Sequence, residues 1–396
     1  MKYDFDEAVN RKDTYSMKWE AGNDVLPMWV ADMDFKAAPA IREAMEKRMA
    51  NGVFGYTLVP DAWYEAYISW WKRRHHFEIR KEWLMFVTGV VPALSSAVRK
   101  FTTPNENVII QTPVYNIFFN SIINNGARVL ENPLAFDGEN YTMDFEDLEK
   151  KMSDPQSTLM ILCNPHNPVG KIWDKETLAK VGELAKKYHV TVISDEIHCD
   201  LCDPGYEYVP FASVSETCAE VSVTCVAPTK AFNLAGIQTA AIFSSNEYLR
   251  HKINRAINTD EVAEPNVFAA IVPMAAFNES EDWLDELREY LFQNKTRVRE
   301  FVKENIPEIK VIDSHATYLL WLDCGKITAD ASKLKDYLAE KHGLLLSEGE
   351  EYGKNGKSFL RLNTATCAGR IEEGLKRLKE GIYDYLKEEK GDEEDC

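Results

Sequence analysis

The chain has 396 residues, 45% of them hydrophobic and 28% charged, the composition of a globular protein too long for one ordinary core. Its formal net charge of −18, from 46 basic and 64 acidic residues, argues against nucleic acid or an anionic membrane surface as a partner. No signal-like apolar stretch opens the sequence, no apolar run is long enough to span a bilayer, and the eight cysteines are scattered as in a reducing compartment, so a cytoplasmic protein is expected.

Residues 1–26 are polar and irregular and are expected to form an arm. Pro27–Phe35 (PMWVADMDF) mixes apolar and acidic residues with no period. Pro39–Asn51 has the pattern of an amphipathic helix that starts at Pro39 and stops at Asn51-Gly52. Tyr56 follows in a glycine-marked loop, and Asp61–Arg74 reads as a second helix, rich in Trp and Tyr and capped by Asp61. From residue 83 short β-rich runs alternate with helical spacing. The runs are Leu84–Val87, Val108–Gln111, Arg128–Leu130, Leu159–Cys163, Val190–Ser194, Val221–Val226 and Thr239–Phe243, with helices such as Val91–Phe101 and Lys175–Tyr188 between them. That alternation predicts an α/β fold whose large domain has a mostly parallel seven-stranded sheet flanked by helices. The last two runs lie too close for a crossover helix, so one of them is expected to run antiparallel. Beyond 280 the pattern changes to a long charged helix, Glu281–Glu304, then Lys310–Ile312, Thr317–Leu322, a helix over Ala331–Lys341, Leu344–Leu346, Phe359–Leu362 and a last helix over 369–387. This reads as a smaller α+β domain. The expected division is an arm with part of the small domain over 1–45, a large domain over 46–280 and the small domain over 281–396, with the acidic end at 387–396 frayed.

In open α/β sheets ligands bind beyond the carboxyl ends of the strands, and here those ends carry chemistry-bearing residues. Lys230 follows Val221–Val226 among small and apolar residues. Desolvation there would lower its pKa and make the amine a nucleophile toward an aldehyde, although such a lysine taken alone is more often a surface residue. Gly89 and Val90 open a helix after Leu84–Val87, where free N–H groups suit phosphate, as they also would in an ordinary strand–helix turn. Tyr115 can stack on a planar ligand or simply pack. Asn164–Gly170 (NPHNPVG) makes a rigid turn whose asparagines can face a ligand. Asp195, at the end of a buried run, needs a partner, either a pyridinium nitrogen or the N-terminus of a helix. Arg361, alone in an apolar run, can clamp a carboxylate or close a structural ion pair. Cys199 and Cys202 have C-x-x-C spacing, but no second pair completes a zinc site, and no metal is expected.

Together these residues resemble the fold-type I pyridoxal-phosphate enzymes of the class I/II aminotransferase superfamily, and within it the cystathionine β-lyase-like carbon–sulfur lyase branch. The resemblance runs over essentially the whole chain. It is carried by NPHNPVG, Asp195, Lys230 and Arg361, and more specifically by PMWVADMDF, Ser194–Leu201 (SDEIHCDL) and Thr229–Gly236 (TKAFNLAG). It implies aminotransferase fold type I and pyridoxal 5'-phosphate held covalently by Lys230, which would also move the proton at the substrate Cα. Asp195 would pair with the ring nitrogen, Asn167 with the ring oxygen, and Tyr115 would stack on the ring and act with Lys230 as a catalytic residue. Gly89, Val90 and Thr229 would hold the phosphate. Tyr56 would reach the phosphate of a neighbouring subunit, which implies a homodimer with shared active sites. Arg361, with Asn167, would bind the α-carboxylate of a small amino-acid substrate, and Ala31 would line the substrate side. The implied reaction is β-elimination from cystathionine or related L-cysteine S-conjugates to a thiol, pyruvate and ammonia. The alternatives are an aminotransferase and a non-catalytic regulatory protein on the same fold. Departures from many aminotransferases are Ala227 and Thr229 where serines are common, Gln238 in place of an arginine, and His198 in place of a tyrosine on the cofactor side. They weaken transamination more than elimination.

Overall fold

Runs of aliphatic and β-branched residues with no polar alternation must be covered on both faces, so they belong in a sheet between two helical layers. The computed structural model, which describes residues 2–22 and 24–394 (the backbone alone for 390–394), has this sheet. Its strands are β1 (Leu84–Val87), β2 (Asn107–Ile110), β3 (Arg128–Glu131), β4 (Ser157–Cys163), β5 (Thr191–Asp195), β6 (Ser222–Val226) and β7 (Ala240–Phe243). Their order is β1-β7-β6-β5-β4-β2-β3. β7 is antiparallel to both neighbours and the other pairings are parallel, as the short gap after β6 predicts. In β4 the period of two sends Leu159 and Ile161 to one core and Met160 and Leu162 to the other, so the run from Leu159 to Cys163 is apolar throughout.

The helices are α1 (Pro39–Ala50), α2 (Asp61–His75), α3 (Val90–Phe101), α4 (Lys175–Tyr188), α5 (Glu247–Thr259), α6 (Ile271–Glu279), α7 (Glu281–Asn305), α8 (Ala331–His342) and α9 (Ala368–Glu394), with shorter ones at Ile117–Ile123, Phe145–Met152 and Glu216–Val221. Asp61 does not cap α2. Pro60 is the cap residue and Asp61 the first helical one, where its charge still suits the positive end of the helix. α5 and α6 carry no sequence expectation of their own. α6 is apolar all round because it is covered on several sides by α1, α2 and the indole of Trp283, so it lacks the one-faced pattern that marks a surface helix.

A second, antiparallel sheet joins β8 (Lys310–Val311), β9 (Leu319–Asp323), β10 (Ser347–Glu348) and β11 (Phe359–Asn363) in the order β8-β9-β11-β10. Leu344–Leu345 does not join it; it pairs in parallel with Leu26–Pro27, which stitches the start of the chain to the C-terminal part. The first residues lack helix and strand but are packed in place. Phe5 sits against Phe35, Trp283 and Tyr290, and Lys18 and Trp19 are buried. At the other end α9 continues to Glu394, so 387–394 is helical and not frayed, while Asp395 and Cys396 lie outside the described residues. No described helix is long and apolar enough to cross a membrane.

Candidate active site

The carboxyl ends of the parallel strands frame a cavity of about 240 Å³. Asp195 is the last residue of β5, and Ile197 N donates to its Oδ1 at 3.1 Å. No helix follows it, so the cap role does not apply. The carboxylate is 4% exposed and has no ion-pair partner among the described residues; burial raises its pKa to about 7. Lys230 stands two residues beyond the Ala227-Pro228 turn after β6, and its Nζ donates to the Ala31 carbonyl at 2.6 Å. Burial, helped by the positive charge of Arg361, lowers its pKa to about 8. Gly89 precedes α3 and Val90 begins it, so the N–H groups of that helix start open on the cavity. Thr229, Tyr115 and Ala31 also line it. Burial pushes the Tyr115 phenol up to about 12, and it stays neutral.

The turn at 164–170 divides its two asparagines. Asn164 faces away from the cavity, its Nδ2 donating to the Val209 carbonyl at 2.9 Å. Asn167 lines the cavity and accepts from Arg361 Nη1 at 3.5 Å. Gly170 closes the turn at φ +67, where a Cβ would lie 2.2 Å from Ser314 Oγ, so no other residue fits. His198 is 3% exposed, lines the same cavity, and its Nδ1 is buried without a partner. Burial holds the imidazole neutral, reinforced by Lys230 and Arg361.

Arg361 lies in β11, one layer behind Asn167. It is 5% exposed, and no described carboxylate lies within ion-pair distance of it, which removes the structural ion pair. Nη2 donates to the Trp29 carbonyl at 2.8 Å, the guanidinium stacks 4.8 Å from the Tyr352 ring, and Nε is unpartnered. Tyr56 is apart from all of these, fully exposed between α1 and α2.

The segment Trp29–Phe35 crosses this site with its carbonyls held by side chains from other stretches of the chain. Asn363 Nδ2 donates to the carbonyls of Val30 at 2.6 Å and Asp32 at 2.7 Å. Asn233 Nδ2 donates to those of Met33 and Phe35, and Met33 N returns a bond to Asn233 Oδ1. Tyr318 OH donates to the same Ala31 carbonyl that takes Lys230. Asn233 and Asn363 stand inside motifs visible in the sequence, but Tyr318, in an apolar run, carries no sequence signal.

The sequence profile of the family described as aminotransferase class I and II matches residues 23–378. The chain belongs to that family. Among curated relatives, cystathionine beta-lyase PatB of Bacillus subtilis (strain 168) is 41% identical over 384 residues, covering 96% of this chain and 99% of that protein. Of solved structures, cystalysin from Treponema denticola, which contains a pyridoxal 5'-phosphate cofactor, superposes with a TM-score of 0.94 at 35% identity, over 97% of this chain and 100% of that one. The PLP-bound C-S lyase from Staphylococcus hominis gives 0.90 at 30% identity, over 96% and 98%. Against that family background, Gln238 lines the cavity in a left-handed conformation at φ 56, so an amide stands in the cavity wall where many members place an arginine.

Asn363→Leu removes the side-chain donor shared by two part-buried carbonyls, of which Val30 keeps the Asp32 N–H and Asp32 loses its donor. It is expected to destabilise the chain by about 1–3 kcal/mol, seen as a lower melting temperature and faster tryptic cleavage after Lys36. Unchanged melting and cleavage would mean that the segment is held elsewhere.

Proposed function

We propose that this chain is a pyridoxal-phosphate-dependent carbon–sulfur β-lyase that cleaves cystathionine or related L-cysteine S-conjugates to a thiol, pyruvate and ammonia. One observation carries the reading. A buried carboxylate without a cation among the described residues (Asp195) and an amine of lowered basicity (Lys230) line one cavity, and a buried guanidinium without an anion among the described residues (Arg361) stands against Asn167 in its wall. A pyridinium, a substrate carboxylate and an aldehyde answer these three groups in turn (Asp195, Arg361, Lys230), and PatB and the Staphylococcus hominis lyase, matched over nearly their whole length, are named for C–S cleavage.

Lys230 would hold the cofactor aldehyde, Asp195 its ring nitrogen, Asn167 its ring oxygen and Tyr115 the face of its ring. Thr229 and the N–H groups at Gly89 and Val90 would take its phosphate. When bound, the cofactor supplies an electron sink for the charge left at Cα. Arg361 grips the substrate α-carboxylate through paired N–H groups and so sets the direction of the Cα–H bond. The Lys230 amine, held at the site by the Ala31 carbonyl, would take the Cα proton. The electron pair released there expels the thiolate from Cβ, and the remaining three-carbon fragment hydrolyses to pyruvate and ammonia. Neutral His198 and Ala31 border this space. The working unit is a homodimer in which Tyr56 reaches the partner's phosphate site; Val53, Phe54 and Leu58 are exposed beside it, as an interface strand of chain requires. Residues 46–280 form the cofactor-bearing unit and 281–396 the smaller one. The described cysteines, all free and buried, fit a cytoplasmic protein.

Purified protein given cystathionine is expected to release pyruvate and a free thiol. Arg361→Lys keeps the charge and loses the fork, so kcat/KM should fall on the order of ten- to a hundredfold while bound cofactor is unchanged. Absence of pyruvate with every cysteine S-conjugate tried would overturn the reading.

Only the neutral Lys230 amine attacks an aldehyde. Below a pKa of about 8 most of it is protonated, so cofactor uptake by apoprotein should speed up as pH rises and level off above about 8. A rate still climbing past pH 10 would show an ordinary lysine.

Inactive Tyr56→Ala and inactive Lys230→Ala chains, mixed and refolded together, should regain part of the activity through hybrids with one intact site. No recovery in demonstrated hybrids would place Tyr56 outside the partner's site.

A further inference from the structure

The Cys199-Asp-Leu-Cys202 segment has no part in the reaction above. It turns away from the end of β5 and passes beneath the C-terminal end of α2, where His75 meets it across 125 residues of sequence. A ring nitrogen of His75, Cys199 Sγ and a carboxylate oxygen of Asp200 all lie within 4.8 Å of one another. Asp200 is 5% exposed. Its Oδ1 accepts from Trp70 Nε1 at 3.0 Å and meets His75 Nε2 at 2.8 Å, while Oδ2 is buried with no hydrogen-bond partner among the described residues. An anionic oxygen left so is disfavoured unless something positive comes to it. A separate cavity of about 600 Å³ reaches His75, Cys199 and Asp200 and gives solvent and ions access. The three arginines in its wall turn to other partners: Arg73 and Arg74 bind Glu281, Arg74 and Arg288 bind Asp285, and Arg288 also donates to the Cys202 carbonyl. The unpartnered carboxylate oxygen of Asp200, beside the imidazole and the thiol, suits a cation.

We propose that His75, Cys199 and Asp200 bind one divalent transition-metal ion of the zinc type, with a water from the cavity as fourth ligand. Imidazole, thiolate and carboxylate are the donor set that such borderline-soft ions take. Zinc bonds of about 2.0–2.3 Å place tetrahedral ligand atoms roughly 3.3–3.8 Å apart, so the three side chains close by about 1 Å on binding. Uptake forms the metal–sulfur bond and releases the thiol proton to solvent, and His75 exchanges its hydrogen bond to Asp200 for a bond to the ion, its ring proton moving to Nδ1. Cys202 is not a ligand; its Sγ donates to the Cys199 carbonyl at 3.6 Å. The ion would fasten the end of α2 to the segment that carries Asp195 and His198.

The test uses chelator-treated holoenzyme titrated with Co²⁺ and then Zn²⁺. One equivalent of Co²⁺ should bind with a thiolate-to-cobalt charge-transfer band in the near ultraviolet, release a proton, and be displaced by Zn²⁺. The band should vanish in Cys199→Ser and persist in Cys202→Ser. His75→Gln should lower Zn²⁺ affinity by more than about a hundredfold, beyond the loss of a supporting hydrogen bond. Melting curves without metal identify any variant that fails to fold, and the remaining variant then decides. No charge-transfer band in the parent protein, or a band undiminished in a folded Cys199→Ser or His75→Gln variant, overturns the proposal.

Discussion

A short row of backbone carbonyls between Trp29 and Phe35 is the constraint on which the active site depends. Six of them accept from Arg361, Asn363, Tyr318, Lys230 and Asn233, which come from β11, the residue before β9 and the turn after β6. Buried carbonyls must be paired, and no strand or helix supplies partners here. Side chains from both parts of the chain therefore have to meet on this segment. In meeting, they hold Lys230 in the cavity wall and Arg361 against Asn167, which lines it. The segment acts as a template: its backbone holds the amine on one side and the guanidinium on the other.

The template is itself anchored by charge. Asp34, 2% exposed, accepts from Arg11 at 2.8 Å, Lys18 at 3.2 Å and the Trp19 indole at 2.8 Å. Burial alone would raise this carboxyl, but Lys18, Trp19 and Arg11 outweigh it and keep it below the usual range. Asp32 takes a second bond from Arg11 at 2.7 Å. The N-terminal residues thus act as a strap over the template, which explains why a polar stretch without helix or strand is packed against the core. A similar buried pair, Lys295 on α7 with Asp203 at 2.7 Å, holds the far end of the segment that follows β5. Removing one partner of such a pair leaves a charge buried without compensation, so both are expected to resist substitution.

Electrostatics at the cavity follows from what is left unpaired. Asp195 and Lys230 both shift toward neutrality because burial penalises each charge and neither has an ion-pair partner. Arg361 cannot lose its proton, so it keeps its charge, leans on the Tyr352 ring and on neutral acceptors, and pushes the Lys230 amine further down. In the proposed reading two different molecules answer these charges, the cofactor's ring nitrogen at Asp195 and a substrate carboxylate at Arg361.

The sequence by itself determined the layered α/β architecture, since apolar runs covered on both faces have one structural solution, and it marked Lys230, Asp195, Asn167 and Arg361 because each breaks its local pattern at a strand end or within a strand. It marked the antiparallel seventh strand through loop length alone. Tertiary structure decided the rest. Which asparagine of NPHNPVG faces the cavity depends on Val209, and Leu344–Leu345 chose the N-terminal strand over its sequence neighbours. Tyr318 became part of the site because its hydroxyl reaches a carbonyl 287 residues away, and His75 met Cys199 and Asp200 only when α2 packed over the end of β5. Local patterns record how a residue is buried, through periodicity and punctuation. They do not record what it is buried against, because hydrogen bonds and ligand sets close between segments whose separation in sequence is arbitrary.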